Sequence, residues 1–194
     1  MPKIRTAALI SGRGSNMAAL VEAARADDYP ADIALVVSSR ADAAGLAFAT
    51  SEGIATALVP SKGQTRDAFE AALEAALRAH GVELIALAGF MRILTPGFVA
   101  RWEGRMINIH PSLLPDFKGL DTHARAIAAG RTEHGCTVHY VSADLDAGEI
   151  IAQARVPVLA GDDAHSLAAR VLAQEHRLYP QALASVARRL APRE

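Results

Sequence analysis

A single cysteine, Cys136, stands among the 194 residues, so no internal disulfide can form and no cysteine pair is present to begin a zinc site. No apolar run reaches the roughly 18–20 residues of a membrane span. The opening Met1-Pro2-Lys3-Ile4-Arg5 is basic, but no long apolar stretch with a small-residue cleavage site follows, so no signal peptide is read there. Charge of one sign is lacking too: 20 Lys and Arg against 21 Asp and Glu leave a formal net charge of −1. Nucleic-acid binders usually carry a basic excess or stripe, and neither is visible. Internal repeats, low-complexity tracts and linkers long enough to divide domains are also missing. What is there is 51% apolar residues, enough for a core without covalent or metal staples. The expectation is a cytoplasmic globular protein of one domain, with no membrane or nucleic-acid partner and no metal.

The apolar residues fall into two patterns. Short runs at Ile4–Ile10, Asp32–Ser38, Ala55–Val59 and Leu84–Ala88 read as strands, the last without alternation and so buried on both faces. Alanine-rich segments at Ser15–Ala26, Asp42–Glu52 and Thr65–His80 read as helices. Phe69, Leu73 and Leu77 form the i, i+4, i+8 row of an amphipathic helix, and Gly81 suits its C-cap. This alternation predicts an α/β fold with a mostly parallel central sheet and helices on both faces. The later part changes character. Met106–His110 reads as a strand stopped by Pro111, and Ser112–Asp121 as a loop. Gly135–Ser142 and Ile150–Val158 read as strands, and the chain from Asp162 onward as helix, broken or bent near Pro180. Residues 191–194 read as a frayed tail.

Ser11-Gly12-Arg13-Gly14-Ser15-Asn16 joins the first strand to the first helix. Ligands of open parallel sheets bind beyond the carboxyl ends of strands. Glycines let a backbone approach an anion closely, and free N–H groups at a helix start favour negative charge. Met17 stands where a dinucleotide fingerprint needs a small residue, and no Gly-Lys-Ser/Thr follows. The turn therefore suits a monophosphate, or is a tight turn with Ser15 or Asn16 as N-cap.

Asn108 and His110 lie two apart on a strand, so both point to one face at its carboxyl end. An Asn amide can donate to an oxyanion, and a His can move protons near neutral pH; the pair suits acyl-type transfer. Asp144 and Asp146 sit in the loop Ser142–Gly148. Such acids form either a solvated turn or a carboxylate beside His110 that favours its imidazolium and fixes its orientation. No EF-hand pattern accompanies them. Of the other histidines, His80 suits a helix C-terminus, His139 reads as a packed strand residue beside Tyr140, and His123 is held open because it closes a loop near the site.

Met106-Ile107-Asn108-Ile109-His110-Pro111-Ser112-Leu113-Leu114-Pro115 resembles the signature of the folate-dependent formyltransferases, and Asp144-Leu145-Asp146-Ala147-Gly148 resembles their acidic loop. Ser11–Asn16, Leu87–Leu94, His134–His139 and Gln174-Glu175-His176 fit the same pattern, so the resemblance spans nearly the whole chain. It implies a Rossmann-like formyltransferase fold and formyl transfer from 10-formyltetrahydrofolate to the amino group of glycinamide ribonucleotide, a step of purine synthesis. It implies that Asn108, His110 and Asp146 are catalytic. Gly14, Ser15, Asn16, Leu172 and Glu175 would bind the ribonucleotide. Arg66, Met91, Arg92, Ile93, Leu94, Asn108, Ser142, Ala143, Asp144, Leu145 and Asp146 would bind folate. Leu172 stands where a polar residue can occur in relatives, and Ala147 and Glu149 where many have Gly or Asp and a Pro.

The resemblance further implies a phosphate-binding half over about residues 1–100 and a catalytic, folate-binding half over about 101–190. Folate is a consumed co-substrate, with no tightly bound cofactor or metal, and the expected state is a monomer or homodimer. A tRNA formyltransferase is expected to carry a further basic C-terminal domain, and a formyltetrahydrofolate hydrolase an N-terminal regulatory one; neither is read here. A non-catalytic phosphometabolite binder would use only the glycine-rich turn and leave Asn108, His110 and Asp146 unexplained.

Overall fold

The computed structural model describes residues 2–191. Seven strands form one sheet: β1 (Ile4–Ile10), β2 (Ala31–Ser38), β3 (Ala55–Leu58), β4 (Leu84–Leu87), β5 (Met106–His110), β6 (Glu133–Tyr140) and β7 (Ile150–Pro157). Their spatial order is β3-β2-β1-β4-β5-β6-β7. The first five are parallel, while β6 and β7 run antiparallel to their neighbours. The helices are α1 (Ser15–Ala24), α2 (Ala44–Ser51), α3 (Arg66–Ala79), α4 (Pro96–Arg101), α5 (Thr122–Ala128) and α6 (Ala164–Leu190).

Side chains alternate across β1, and the two resulting faces seed separate cores. Ala8 and Ile10 pack with Met17, Leu20 and Val21 of α1 and with Leu167, Val171 and Leu183 of α6. Ala7 and Leu9 pack with Phe69, Leu73 and Leu77 of α3 and with Phe98 and Val99 of α4. The expected amphipathic row of α3 is thus its buried face. Thr65 caps that helix through its side chain, and His80 is its C-cap residue.

Two local expectations are corrected, and two short helices are added. The residue that caps α1 is Gly14, at φ 74°, rather than Ser15 or Asn16, and no side chain caps that end. Helix α6 runs unbroken through Pro180. Proline lacks the N–H that would meet the carbonyl one turn back, but here the helix lies against the sheet along its length, and packing outweighs that loss. Its own carbonyl accepts from the Tyr29 hydroxyl at 2.7 Å. Finally, α4 and α5 were not expected at all. The missed signal for α4 is Thr95-Pro96: Thr95 caps through its side chain and Pro96 occupies the first turn.

Candidate active site

β4 and β5 end side by side next to β1, at the carboxyl edge of the parallel part of the sheet. The Tyr179 hydroxyl of α6 holds this edge by donating to the Leu87 carbonyl at 2.8 Å, with the Ile107 carbonyl 3.3 Å away. On one flank the glycine-rich turn leads into α1. Gly14 is left-handed there, and a Cβ would come within 2.9 Å of Met17 Cε. The uncapped N–H groups that follow are free to meet an anion. Asn16 Nδ2 donates to Glu175 Oε2 at 2.7 Å, joining α1 to α6, and Asn16 Oδ1 is buried with no partner. Burial pushes the Glu175 carboxyl above the usual carboxylate range, while the Asn16 amide pulls it back. Leu172 is half-buried one turn before Glu175.

Asn108 and His110 occupy the end of β5, and Asp146 reaches them from the loop after β6. His110 is buried; its Nε2 lies 3.0 Å from the Phe117 carbonyl and its Nδ1 3.5 Å from Asp146 Oδ2. A carbonyl only accepts, so Nε2 carries hydrogen and Nδ1 is the ring nitrogen that faces the Asp146 carboxylate. Asp146 is itself anchored: Oδ2 accepts from the Gly119 backbone N–H at 2.9 Å. Its backbone is left-handed, φ 48°, as is that of Phe117 at φ 53°. Non-glycine residues in that region store strain, and these two both contact His110. Of the two loop carboxylates, Asp146 is thus the neighbour of His110, whereas Asp144 is an exposed residue on the cleft wall.

The residue that the sequence did not reveal is His139. Antiparallel pairing sets Asn108 opposite His139 and His110 opposite Thr137. His139 is buried, with Nε2 3.2 Å from Asn108 Nδ2 and 3.7 Å from Asp146 Oδ1. Its strand was legible, but the β5–β6 register that aims it at the site was not. Thr137 braces the turn beyond His110: its hydroxyl donates to the Ser112 carbonyl at 2.7 Å and accepts from the Leu114 N–H at 3.0 Å. His123, the histidine held open, lies edge-on to His134 with ring centroids 5.2 Å apart, and burial, with His110 nearby, lowers its pKa.

A cleft of about 510 Å³ opens beside these groups, lined by Met91–Leu94, Asn108, Leu120, His139 and the loop Ser142–Asp146. Met91, Ile93, Leu120 and Leu145 expose large apolar side chains into or around it, a surface suited to a flat, partly apolar ligand. The Met91 N–H donates to Ser11 Oγ at 2.9 Å, which ties the cleft wall to the glycine-rich turn. Arg92 lies over the Phe69 ring. Arg66 does not line the cleft; it is the exposed first residue of α3. The flank at the glycine-rich turn and the cleft each draw on both halves of the chain, through Glu175 on one side and Met91–Leu94 on the other. Among the described residues no group of three or more His, Cys, Asp or Glu side chains could hold a metal ion, and no helix is long and apolar enough to cross a membrane.

Comparison with known proteins gives a consistent result. The family described as formyl transferase matches residues 4–183. The chain is 46% identical over 173 residues to phosphoribosylglycinamide formyltransferase of Escherichia coli (strain K12), covering 89% of this chain and 82% of that enzyme. It is 47% identical over 186 residues to the trifunctional purine biosynthetic protein adenosine-3 of Bos taurus. That match covers 95% of this chain but only 18% of the longer protein. The crystal structure of phosphoribosylglycinamide formyltransferase from Brucella melitensis superposes with a TM-score of 0.93 at 50% identity, covering 100% of both chains.

Proposed function

The chain belongs to the formyl transferase family, and from that premise we propose that it transfers the formyl group of 10-formyltetrahydrofolate to the amino group of glycinamide ribonucleotide. The observation that carries the reading is the buried contact of His110 with Asp146 beside Asn108, at the mouth of an apolar cleft and next to a helix start fit for phosphate.

The ribonucleotide phosphate meets the N–H groups that open α1, cradled by Gly14, Ser15 and Asn16. Glu175 and the unpartnered Asn16 Oδ1 are acceptors suited to hydroxyl donors of the same ligand, with Leu172 against its apolar edge. The folate ring system lies between Met91–Leu94 and Ser142–Asp146, and its glutamyl end runs toward solvent on the side of Arg66. Binding the two substrates side by side contributes by proximity. The neutral amine attacks the formyl carbon, forming the new C–N bond. Asn108 donates to the oxyanion as it develops, and the charge of a protonated His110 beside it stabilises the same oxygen through space. Asp146 stabilises the imidazolium and steers the proton that leaves the amine toward the folate nitrogen, whose bond to the formyl carbon breaks. The folate is consumed, so the reaction needs no tightly bound cofactor. Small-molecule substrates, one domain and a cytoplasmic setting complete the reading.

The test incubates purified protein with 10-formyltetrahydrofolate, with and without glycinamide ribonucleotide. Tetrahydrofolate release that requires the ribonucleotide is expected. Equal release without it indicates a hydrolase, and no release indicates a binder; either outcome overturns the proposal.

A further inference from the structure

The two ring nitrogens of His139 face different partners, and those partners decide the tautomer. Nδ1 lies 2.8 Å from the Tyr140 carbonyl, which can only accept, so Nδ1 carries the hydrogen. The ring is 97% buried among β5, β6 and the Asp146 loop, where an imidazolium would be poorly solvated. A neutral ring protonated at Nδ1 has a bare lone pair at Nε2. The atom 3.2 Å from that lone pair is Asn108 Nδ2, and only an N–H can meet it; the amide oxygen cannot. The contact between Nε2 and Asp146 Oδ1, at 3.7 Å, is then not an ion pair, and the Asp146 charge is directed at His110 instead.

We infer that His139 is a positioning residue for the formyl-transfer reaction proposed above. By accepting one Nδ2 hydrogen of Asn108 it fixes which way the amide is turned and presents the second Nδ2 hydrogen to the reacting carbonyl. Without that acceptor the amide is free to turn over. The flipped form places a carbonyl oxygen where the oxyanion develops, opposing catalysis rather than assisting it. A buried acceptor makes the correct form the stable one, because the flipped form sets two lone pairs against each other. Desolvation also pushes the His139 ring down to about 4, against the opposing pull of Asp146, while His110 and Lys118 push the same way as burial. The acceptor is therefore present throughout the neutral range. His139 touches no substrate atom in this role; it acts through Asn108.

Two substitutions separate positioning from packing. His139→Phe keeps the ring volume and removes the acceptor, whereas His139→Gln retains an oxygen able to accept from Asn108. With both substrates, His139→Phe is expected to lower kcat by roughly 10–100-fold, a fraction of what a whole oxyanion donor supplies, with both KM values held within about threefold. His139→Gln is expected to recover most of that loss. In an Asn108→Ala background His139→Phe should cost little more, because the group it positions is gone. Equal losses in the Phe and Gln variants, or losses additive with Asn108→Ala, would overturn the inference. A substrate-free reading comes from imidazole nitrogen NMR of the unmodified protein at pH 7: Nδ1 protonated and Nε2 bare is expected, and a protonated Nε2 overturns it. An unmodified protein that releases no tetrahydrofolate defeats the formyl-transfer reading, while the NMR result judges the His139 contact by itself.

Discussion

His110 is held from two sides, by the Phe117 carbonyl at Nε2 and by Asp146 at Nδ1, and both partners sit on left-handed backbone. Holding two such residues costs about 1–2 kcal/mol each, an expense that stability alone would not maintain. What it achieves is a ring held at both nitrogens beside Asn108. His110→Ala should therefore cut turnover by roughly 10²–10⁴-fold while the protein still folds, measured as kcat with both substrates saturating. Turnover within a few-fold of normal would remove His110 from the chemistry. Gly148 supports the same geometry in a less obvious way. Its φ is ordinary, but a Cβ would run into the Tyr140 carbonyl at the end of β6. The loop bearing Asp146 lies flat on the strand only because this residue has no side chain. Gly148→Ala should displace Asp146, lowering kcat by up to roughly 10²-fold and raising the KM for folate. The KM for the phosphorylated substrate should stay unchanged, because the proposed phosphate cradle at Gly14–Asn16 is built by the turn after β1 and not by this loop.

At the level of elements, α6 does most to assemble the site. It supplies Glu175 to the phosphate flank and Tyr179 to the ends of β4 and β5. Tyr179 is wholly buried, so Tyr179→Phe leaves the Leu87 carbonyl short of a donor and should cost about 1–3 kcal/mol, read as a lower urea midpoint with unchanged slope. The same helix shows what sequence patterning conveys. Its buried row, from Leu167 to Val186, repeats at the helical period, and β4 is an unbroken apolar run; these elements announce themselves. The six-residue α4 and seven-residue α5 are too short for a period to build, and Asp121 enters α5 in a left-handed conformation that no pattern forecasts. The site divides the same way. Asn108 and His110 are legible because strand alternation alone puts them on one face. Asp146 depends on a loop folding back, and His139 on the register of two antiparallel strands; both are long-range facts that local spacing does not encode.

Across the whole molecule, the buried histidines make stability depend on pH in one direction. Burial lowers His134 and His139 from 6.5 to about 4, and His123 and His176 are lowered as well. A histidine depressed in the folded state takes up a proton in the unfolded chain first. Between pH 6.5 and about 4 the unfolded state binds more protons, so the contribution is complete above that window and is lost as pH falls through it. Each of the two larger shifts is worth on the order of 3 kcal/mol at most. Glu175 opposes them, since a raised carboxyl favours the folded state at low pH, but it is one group against four, and Glu74, lowered by Trp102 and Arg78, adds to the acid loss at the bottom of the range. The melting temperature should therefore fall steadily as pH is lowered from 7.5 to 4.5. His134→Gln should flatten that slope, because it removes one of the two most strongly lowered rings. A melting temperature that rises on acidification would show that these rings are protonated in the folded protein. That would in turn remove the bare nitrogen on which the orientation of Asn108 depends.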